Sequence, residues 1–599
     1  MPYGHHLVLP LLLLFLGGFA LGCHGKIFER VKDLPGLKYD FIIIGGGTAG
    51  NVIANRLTEY SQFSVLVLEA GVSNENVLNV SIPLRCTTLT PGTIYDWNFT
   101  TIPQVGLNGR QVPYLRGKIL GGSSSVNFMA YTRGSSDDYD RYAKITGDSG
   151  WSWNKLLPYI LKNERWTASA DHHDISGSFD PAVHGFNGVN SVSLPGFSQP
   201  IDWRVIQTTK ELVEFPYNVD SNSGNQLGIG WAQSTIGNGE RSSSATSYLS
   251  PKYINRPNLH VLLHVQVARV LPSTSNIAQK FSFKDVEFSE GVGGPIFRAT
   301  AKKEIILSAG AIGTPHILLN SGIGDKNALS QIGIKPLVHL PSVGQNFSDH
   351  PVIVDQWPVN STNTFEKLAR NATYAAEQLD LWLRTRTGIL VDAPTNMLGF
   401  LRLPANASIF EKHPDPSPGP RTGHWEILFT NGLTGPPVPA TGNFLDVAVA
   451  LVSPTSRGSV TINSTNPFDP PLINPNFLNT EFDIFTMREA VRAARRFISA
   501  PAWSDYIISQ VNNTATDTEL DQYIRDGSIS IFHGVGTAGM SARDANYGVV
   551  DPDLLVKGVE GLRIVDASIL PIVPAAHTQA ATYAIAERAA DMIKEAWRH

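Results

Sequence analysis

One unit near the start of the chain constrains its fold more than any other feature. Residues 38–44 are typical of a buried parallel strand, and this strand runs directly into a G-x-G-x-x-G pattern over residues 45–50. An amphipathic helix is predicted over 48–58, and a second strand ends in the acid Glu69, 19 positions after Gly50. The glycines permit a tight turn, the start of the helix offers free N–H groups to a pyrophosphate, and a carboxylate at this spacing binds a ribose. The unit therefore predicts a Rossmann-like dinucleotide-binding domain, without choosing between NAD and FAD.

Two further glycine-rich segments offer small residues that would let the backbone approach a flat ligand. The first covers residues 116–127, and the second, residues 310–324, follows a predicted strand over 304–308. Within the second segment, Thr314 is predicted as the N-cap of a helix and Pro315 as its first residue. Taken alone, each segment is more often a plain turn than a ligand site.

The order and content of these segments resemble the glucose–methanol–choline oxidoreductase family, which uses FAD. Asn127, Tyr131 and Gly134 match the first signature of that family, and residues 321–324 match the second. The resemblance runs from about residue 40 to the C-terminus. Within the family the likeness is greatest to fungal aryl-alcohol oxidases, through residues 66–73, 96–98, 191–197, 474–477 and 480–487.

The glycine unit and the resemblance together imply a set of cofactor-binding residues. These are Gly45, Gly47, Thr48, Ala49, Gly50, Glu69, Ala70, Lys118, Gly121, Ser125, Asn127, Val267, Asp566, Ala567 and Thr578. In some relatives the position that matches Asn127 is a histidine linked covalently to the flavin. An amide cannot form that bond, so FAD is expected to bind non-covalently.

Two of the 16 histidines stand in unusual settings. His533 is followed by glycines at 534 and 536, and His577 precedes a predicted C-terminal helix. A lone histidine is usually a satisfied core or surface residue, but oxidation of an alcohol needs a group that accepts a proton near neutral pH, and histidine is such a group. The resemblance implies that His533 is the general base and that His577 holds the substrate oxygen. The two are 44 residues apart without a nearby cysteine, so no metal site is predicted.

The resemblance also implies a substrate and a reaction. Phe128 and Phe532 are expected to contact the substrate, and FAD-dependent oxidation of a primary benzylic alcohol to an aldehyde would reduce O2 to H2O2. One feature departs from the aryl-alcohol oxidases, because residues 431–437 lack their bulky aromatic side chains. Three alternatives stay open: a family dehydrogenase or oxidase for aliphatic alcohols, one for sugars, and a hydroxynitrile lyase that keeps FAD without net redox chemistry.

The scattered nucleotide segments must converge, so the predicted fold is α/β with two interleaved domains. A discontinuous Rossmann-like FAD-binding domain is assigned to residues 38–136, 236–351 and 529–599. An α+β substrate-binding domain, residues 137–235 and 352–528, is expected to contain an antiparallel sheet.

The N-terminus predicts the compartment. Residues 7–22 are almost entirely apolar, shorter than the roughly 20 residues that cross a bilayer, and followed by small residues. This pattern predicts a cleaved secretory signal over residues 1–22, with an uncleaved anchor as the alternative. Eight Asn-x-Ser/Thr sites favour a secreted glycoprotein, and cleavage at or just past Cys23 would leave Cys86 as the one thiol.

Charge and composition narrow the partners. The chain has 47 Lys and Arg against 52 Asp and Glu, a net charge of −5, which disfavours nucleic-acid binding because phosphate contacts need excess cations. Beyond the N-terminal segment no run is long and apolar enough to span a membrane. The expected partners are a small-molecule alcohol and O2, without nucleic acid or membrane, and the protein is expected to be a monomer.

Overall fold

The strand Lys38–Ile44 lies inside the main sheet of the computed structural model, which describes residues 27–273, 280–434, 437–509, 514 and 516–598. The predicted signal over 1–22, Cys23 and the glycosylation site Asn512 lie outside the described residues. Side chains 41 to 43 of the strand are fully buried, as expected where both faces of a parallel sheet are covered. The predicted α/β class is confirmed.

The main sheet has nine strands in the described part of the chain, seven of them in one continuous path. From edge to edge these are Ile27–Phe28, Leu259–Leu262, Val65–Leu68, Lys38–Ile44, Ile296–Leu307, Phe281–Ser289 and Gln266–Pro272. Val559–Glu560 pairs with Phe281–Ser289, and Leu562–Ile564 pairs with Ile296–Leu307. The first five strands of the path are parallel. The fifth of them, Ile296–Leu307, also begins an antiparallel meander with the last two strands. Ligands of such sheets bind beyond the carboxyl ends of the parallel strands.

The helix after Ile296–Leu307 corrects one detail of the sequence prediction. It spans Gly310–Asn320, so Thr314 is not its N-cap and Pro315 lies inside it. Proline lacks the N–H that would bond the Ala311 carbonyl, but the Thr537 hydroxyl donates to that oxygen at 2.7 Å and replaces the missing bond. The helix therefore tolerates an internal proline because a distant segment supplies the hydrogen bond.

A second sheet carries the other layer of the protein. Its order is Thr395–Leu401, Trp425–Thr430, Phe444–Leu451, Pro351–Pro358 and Ile529–Ser530, and every neighbouring pair is antiparallel. The predicted antiparallel sheet is confirmed. The long helix Glu481–Ile498 packs on it through Met487, Val491 and other buried residues of one face.

The remaining elements are short strands and helices around the two sheets. Paired strands are Phe99–Thr100 with Pro113–Tyr114, Glu164–Trp166 with Asn190–Val192, Ile236–Gly237 with Glu240–Arg241, Ile323–Gly324 with Val338–His339, and Ser459–Thr461 with Leu472–Asn474; Gly228–Trp231 is a further strand. The other α-helices are Thr48–Leu57, Leu78–Ser81, Ser136–Thr146, Trp153–Asn163, Asp202–Glu211, Ser244–Tyr248, Pro251–Ile254, Lys326–Gln331, Glu366–Arg370, Ala372–Thr385, Asp517–Gly527 and Gln579–Ala596. Within the described ranges, none of the helices is both long and apolar enough to cross a membrane.

Two large hydrophobic cores correspond to the two sheets. The first is built around the main sheet and the second around the antiparallel sheet. The helices Ser136–Thr146 and Trp153–Asn163 contribute to the first core, although the sequence assigned residues 137–235 to the other domain. The proposed domain boundaries stay a prediction. Cys86 is fully buried and forms no disulfide with any residue of the described ranges.

A buried charge cluster of four residues joins three loops and the strand Glu164–Trp166. The Arg133 guanidinium and the His184 imidazole both donate to the Glu164 carboxylate, and His184 Nε2 donates to Asp220 Oδ2 at 2.7 Å. All four side chains are at most 2% exposed. Burial alone would lower the pKa of His184, but its hydrogen bonds to Asp220 and Glu164 outweigh burial and raise it. Two cations thus face two carboxylates, and the cluster, referred to below as the four-charge cluster, has no net charge.

Candidate active site

A cavity of about 1510 Å³ runs from the glycine turn to the two histidines. Pockets for small ligands are typically about 300–1,000 Å³, so this cavity has room for a dinucleotide and a substrate. Twelve of the predicted cofactor-binding residues line it: Gly45, Gly47, Thr48, Ala49, Glu69, Ala70, Lys118, Asn127, Val267, Asp566, Ala567 and Thr578. Phe128, Phe532, His533 and His577 line it as well.

Three predicted binding residues lie behind the lining. A Cβ at Gly50 would meet the Gly45 carbonyl oxygen at 2.0 Å, so glycine is needed there for helix and strand to pack. Gly121 has φ +93° and donates its N–H to the Gly46 carbonyl at 2.7 Å. The Ser125 hydroxyl donates to the Leu120 carbonyl at 2.8 Å. In this structure these three residues shape the backbone rather than face the cavity.

The nucleotide end of the cavity fits an anionic dinucleotide. Gly47 is the N-cap of the helix Thr48–Leu57 without a side-chain cap, which leaves N–H groups of the first turn for an anion. A Cβ at Gly47 would find no atom nearer than 3.9 Å, so bare backbone lines the cavity at this point. The Glu69 carboxylate accepts the N–H groups of Gly46 at 2.8 Å and Gly71 at 2.7 Å, and burial raises its pKa to about 7.

The two predicted histidines meet at the other end. Their ring centroids are 4.7 Å apart with the rings at 74°, although 43 residues separate them in the chain. His533 is 8% exposed, and burial, together with the charges of His577, His350 and Arg116, holds its pKa well below 6.5. His533 is therefore neutral at neutral pH and has one ring nitrogen free to accept a proton.

A third histidine fixes the ring of His533. The Nδ1 atoms of His350 and His533 are 3.0 Å apart, so one of them donates and the other accepts. The pKa of His350 is lowered to about 3, chiefly by burial, so its ring is neutral. When His533 donates from Nδ1, its Nε2 carries the lone pair, which is the tautomer that a base requires.

The carboxylate of Asp349 anchors this histidine pair to its surroundings. It accepts the hydroxyls of Tyr114 at 2.7 Å and Ser530 at 2.6 Å, and the backbone N–H groups of His350 at 2.8 Å and His533 at 2.7 Å. Every described partner of this buried carboxylate is a donor. The Asp349 carboxylate thus holds the backbone of both His350 and His533.

His577 has an acidic partner from the antiparallel sheet. Its Nε2 lies 2.8 Å from the Glu426 carboxylate, which is buried, and its backbone N–H donates to the Thr132 hydroxyl at 2.8 Å. Since Nε2 faces Glu426, Nδ1 is the ring nitrogen left for a substrate oxygen. His577 can therefore donate or accept at one defined atom.

The residues that support the two histidines were not found from the sequence. A charged Glu426 inside the buried apolar strand Trp425–Thr430 is a signal that could have identified one of them. Asp349 and His350 directly precede a buried strand, but nothing local indicates that His350 meets a residue 183 positions later.

An apolar wall faces the histidine end. Val352, Leu398, Leu428 and Ala448 line the cavity from one face of the antiparallel sheet, the face that also carries Glu426. Phe128 is 44% exposed at the same end.

Phe532 and the loop that begins at Asn431 complete the rim. Phe532 has φ +67°, a strained conformation for a bulky residue, and its carbonyl accepts from Arg116 at 3.0 Å. Leu433 and Thr434 line the cavity from the loop, which carries no aromatic side chain among its described residues.

Comparison with known proteins agrees with this geometry. The family models for the N- and C-terminal parts of GMC oxidoreductases match residues 39–352 and 454–586. A pyranose dehydrogenase from Agaricus campestris is 41% identical over 97% of this chain and 98% of its own length. A formate oxidase from Aspergillus oryzae, studied for modification of its FAD, superposes with a TM-score of 0.85 at 30% identity, covering 94% of this chain and 99% of that one. A fungal aryl-alcohol oxidase superposes with a TM-score of 0.81 at 27% identity, covering 94% and 100%.

The matches to whole relatives span nearly all of the chain, including both of its large sheets. The cofactor is FAD, in agreement with the glycine turn, the free helix N-terminus and the buried Glu69 carboxylate. Because both family models and a full-length relative at 41% identity agree, the chain belongs to the GMC oxidoreductase family.

Proposed function

We propose that this enzyme oxidises primary benzylic alcohols to aldehydes and passes the electrons to O2, releasing H2O2. The observation that carries the substrate class is the apolar wall beside the two histidines. An aromatic ring gains by leaving water for such a surface, whereas hydroxyl groups pressed against it would lose hydrogen bonds. Phe128 and Phe532 add aromatic faces to the same space.

In this reaction His533 accepts the hydroxyl proton at Nε2. The hydrogen bond between its Nδ1 and His350 keeps the ring in one orientation, and the low pKa keeps the ring unprotonated before the substrate arrives. His577 holds the substrate oxygen through Nδ1 while Glu426 holds Nε2. Bound FAD would supply the acceptor for the hydride that leaves the carbinol carbon.

A substrate panel tests the proposal. Purified holoenzyme is given benzylic, aliphatic and pyranose substrates at equal concentration, with O2 or a benzoquinone as the electron acceptor. We expect the highest kcat/KM for benzylic alcohols, with one H2O2 formed for each aldehyde. A preference for pyranoses would overturn the benzylic substrate class. Turnover with quinone but not with O2 would overturn O2 as the electron acceptor.

A pyranose substrate is the second candidate. The observation that favours it is the 41% identity to a pyranose dehydrogenase over nearly the whole chain. The cavity also carries the hydroxyls of Thr395, Thr430 and Thr434, which a sugar could use. The hydroxyl oxygens of Thr395 and Thr430 are 3.0 Å apart and already form a hydrogen bond with each other. Because this bond competes with binding of a sugar, the benzylic class is the first candidate.

The cofactor should be held without a covalent bond. Asn127, not histidine, lines the cavity where some relatives attach the flavin, and an amide is not a nucleophile. We expect acid or trichloroacetic acid precipitation to leave all yellow colour in the supernatant and none on the protein. Flavin absorbance that stays with the washed pellet would contradict this expectation.

The protein is proposed to be secreted and glycosylated. Among the sequence sites, Asn406, Asn463 and Asn346 are exposed, but Asn346 already donates its Nδ2 to the Pro571 carbonyl at 2.7 Å. Peptide mapping of protein from the culture medium of a fungal host should find glycans at Asn406 and Asn463 and an N-terminus near residue 23. Retention of the full-length chain in the cell fraction would speak against secretion.

A further inference from the structure

Arg241 is a buried cation without an anionic partner. It is 4% exposed and donates to three backbone carbonyls, those of Val80 at 2.9 Å, Ser124 at 3.3 Å and Asn127 at 2.7 Å. Among the described residues it forms no ion pair, and its Nη2 has no hydrogen-bond partner. Two other buried arginines, Arg133 and Arg563, are each paired with a glutamate. Burying a charge without an ionic partner costs free energy of folding, so a buried, unpaired arginine needs a physical explanation.

Arg241 fixes the orientation of the Asn127 side chain. Its Nη1 donates to Asn127 Oδ1 at 2.8 Å, and the backbone N–H of Met129 donates to the same oxygen at 3.1 Å. Neither donor can accept a hydrogen bond, so the atom between them must be the amide oxygen. Asn127 Nδ2 is consequently the free end of the amide, and Asn127 lines the cavity.

Asn127 lies at the histidine end of the cavity. The segment that follows it is hydrogen-bonded to the start of the C-terminal helix: the Ala130 carbonyl accepts from Gln579 at 2.7 Å, and the Thr132 hydroxyl accepts from the backbone of His577 at 2.8 Å. A hydride acceptor has to lie beside the histidines, so the redox-active ring of FAD belongs at this end.

The charge of Arg241 would matter most at that ring. In a low-dielectric wall a cation interacts strongly with charge that develops nearby, and preorganised donors need not reorient when the charge appears. FAD gains negative charge on reduction. Burial lowers the pKa of Arg241 to about 10, so the guanidinium keeps its charge at neutral pH.

We propose that Arg241 is a positioning residue for FAD: it holds Asn127 with Nδ2 toward the flavin, and its uncompensated charge favours the reduced cofactor. This inference rests on the FAD site and is independent of which alcohol the enzyme oxidises. The readout below needs no alcohol, so a different substrate class leaves it unaffected.

The reduction potential of bound FAD tests the charge. In dye-equilibrated reductive titrations of the holoenzyme, Arg241→Met should shift the equilibrium at least tenfold toward the oxidised cofactor, which is about 30 mV for a two-electron couple. Arg241→Lys keeps the charge and should stay within threefold of the wild type. Arg457→Met is the matched control, because Arg457 also donates to two backbone carbonyls, at 2.8 Å each, but lies outside the cavity lining.

A second neutral variant keeps the test decisive if Arg241→Met does not fold. Arg241→Gln retains amide donors for the neighbouring carbonyls and should show the same shift. A wild-type potential in a folded, FAD-bound Met or Gln variant would overturn the electrostatic role, and so would an equal fall in Arg241→Lys.

The positioning role has its own readout, the dissociation constant of FAD. Arg241→Gln and Asn127→Ala should each weaken FAD binding. The double variant should bind FAD no more weakly than the weaker of the two single variants, because both substitutions remove the same Arg241–Asn127 hydrogen bond. Additive losses would mean that Arg241 does not act through Asn127.

Discussion

Replacing His533 by alanine should lower kcat/KM by about 10³-fold while FAD stays bound. General base catalysis contributes about 10²- to 10⁴-fold, and His533 is the proposed proton acceptor beside His577. The measurement is steady-state turnover with the best alcohol, combined with the flavin absorbance of the purified variant.

The control for this variant is His413→Ala, which removes a half-buried surface histidine that pairs with Glu481 and should leave turnover unchanged. Near-normal turnover of His533→Ala would exclude its role as the base, whereas loss of the flavin colour would show that the ring also supports the cofactor.

The same residue sets a pH dependence. Because burial and the charges of His577, His350 and Arg116 hold the pKa of His533 well below 6.5, the base is already unprotonated in mildly acidic solution. For wild-type enzyme we expect kcat/KM to be level through neutral pH and to fall only as the pH drops well below 6.5. A half-maximal value near 6.5 would indicate an exposed base and would contradict this geometry.

The second large effect concerns stability. Glu164→Gln in the four-charge cluster removes the carboxylate that both Arg133 and His184 share, and leaves two buried cations against one anion. Breaking a buried ion pair in this way costs about 3–5 kcal/mol. Urea denaturation of the holoprotein, followed by tryptophan fluorescence, should show the corresponding fall in the free energy of unfolding.

An exposed glutamate provides the comparison. Glu481→Gln breaks pairs with Lys412 and His413 at the surface and should leave the denaturation midpoint unchanged. Equal midpoints for the Glu164 and Glu481 variants would mean that the four-charge cluster does not stabilise the fold.

The four-charge cluster also links stability to pH. The pKa of His184 is raised above its unfolded value of 6.5, so its contribution is fully present below pH 6.5 and is lost as the pH rises through the folded pKa. In the wild type the free energy of unfolding should therefore decline as the pH rises above 6.5, and His184→Gln should flatten that decline. An unchanged slope in His184→Gln would assign the decline to other groups.

Local pattern was sufficient for the nucleotide unit and for most elements. The strand Lys38–Ile44 and the helix Thr48–Leu57 lie where the apolar run, the glycines and the helical periodicity predicted them. Residues 365–384 carry one continuous helical pattern in the sequence, but they form two helices, Glu366–Arg370 and Ala372–Thr385, because the Asn371 side chain accepts the Tyr374 N–H and caps the second.

Local patterns could not predict contacts between residues that are far apart in the chain. His533 and His577 could be named because the resemblance carried them, but Glu426 approaches His577 from a different sheet, 151 positions away. The start of the helix Gly310–Asn320 was mispredicted for the same reason, since the hydroxyl that compensates for Pro315 belongs to Thr537. In each case the deciding contact joins segments with no local relation in the chain.

The strand Leu562–Ile564 has a consequence for biosynthesis. It pairs with Ile296–Leu307 in the main sheet, and both the acid Asp566 and His577 follow it. A ribosome that has made the first 500 residues has synthesised the glycine turn and its helix. It has not yet synthesised His533, His577 or the strand Leu562–Ile564. We therefore expect a chain that stops before Leu562 to be a colourless polypeptide rather than a weakened enzyme.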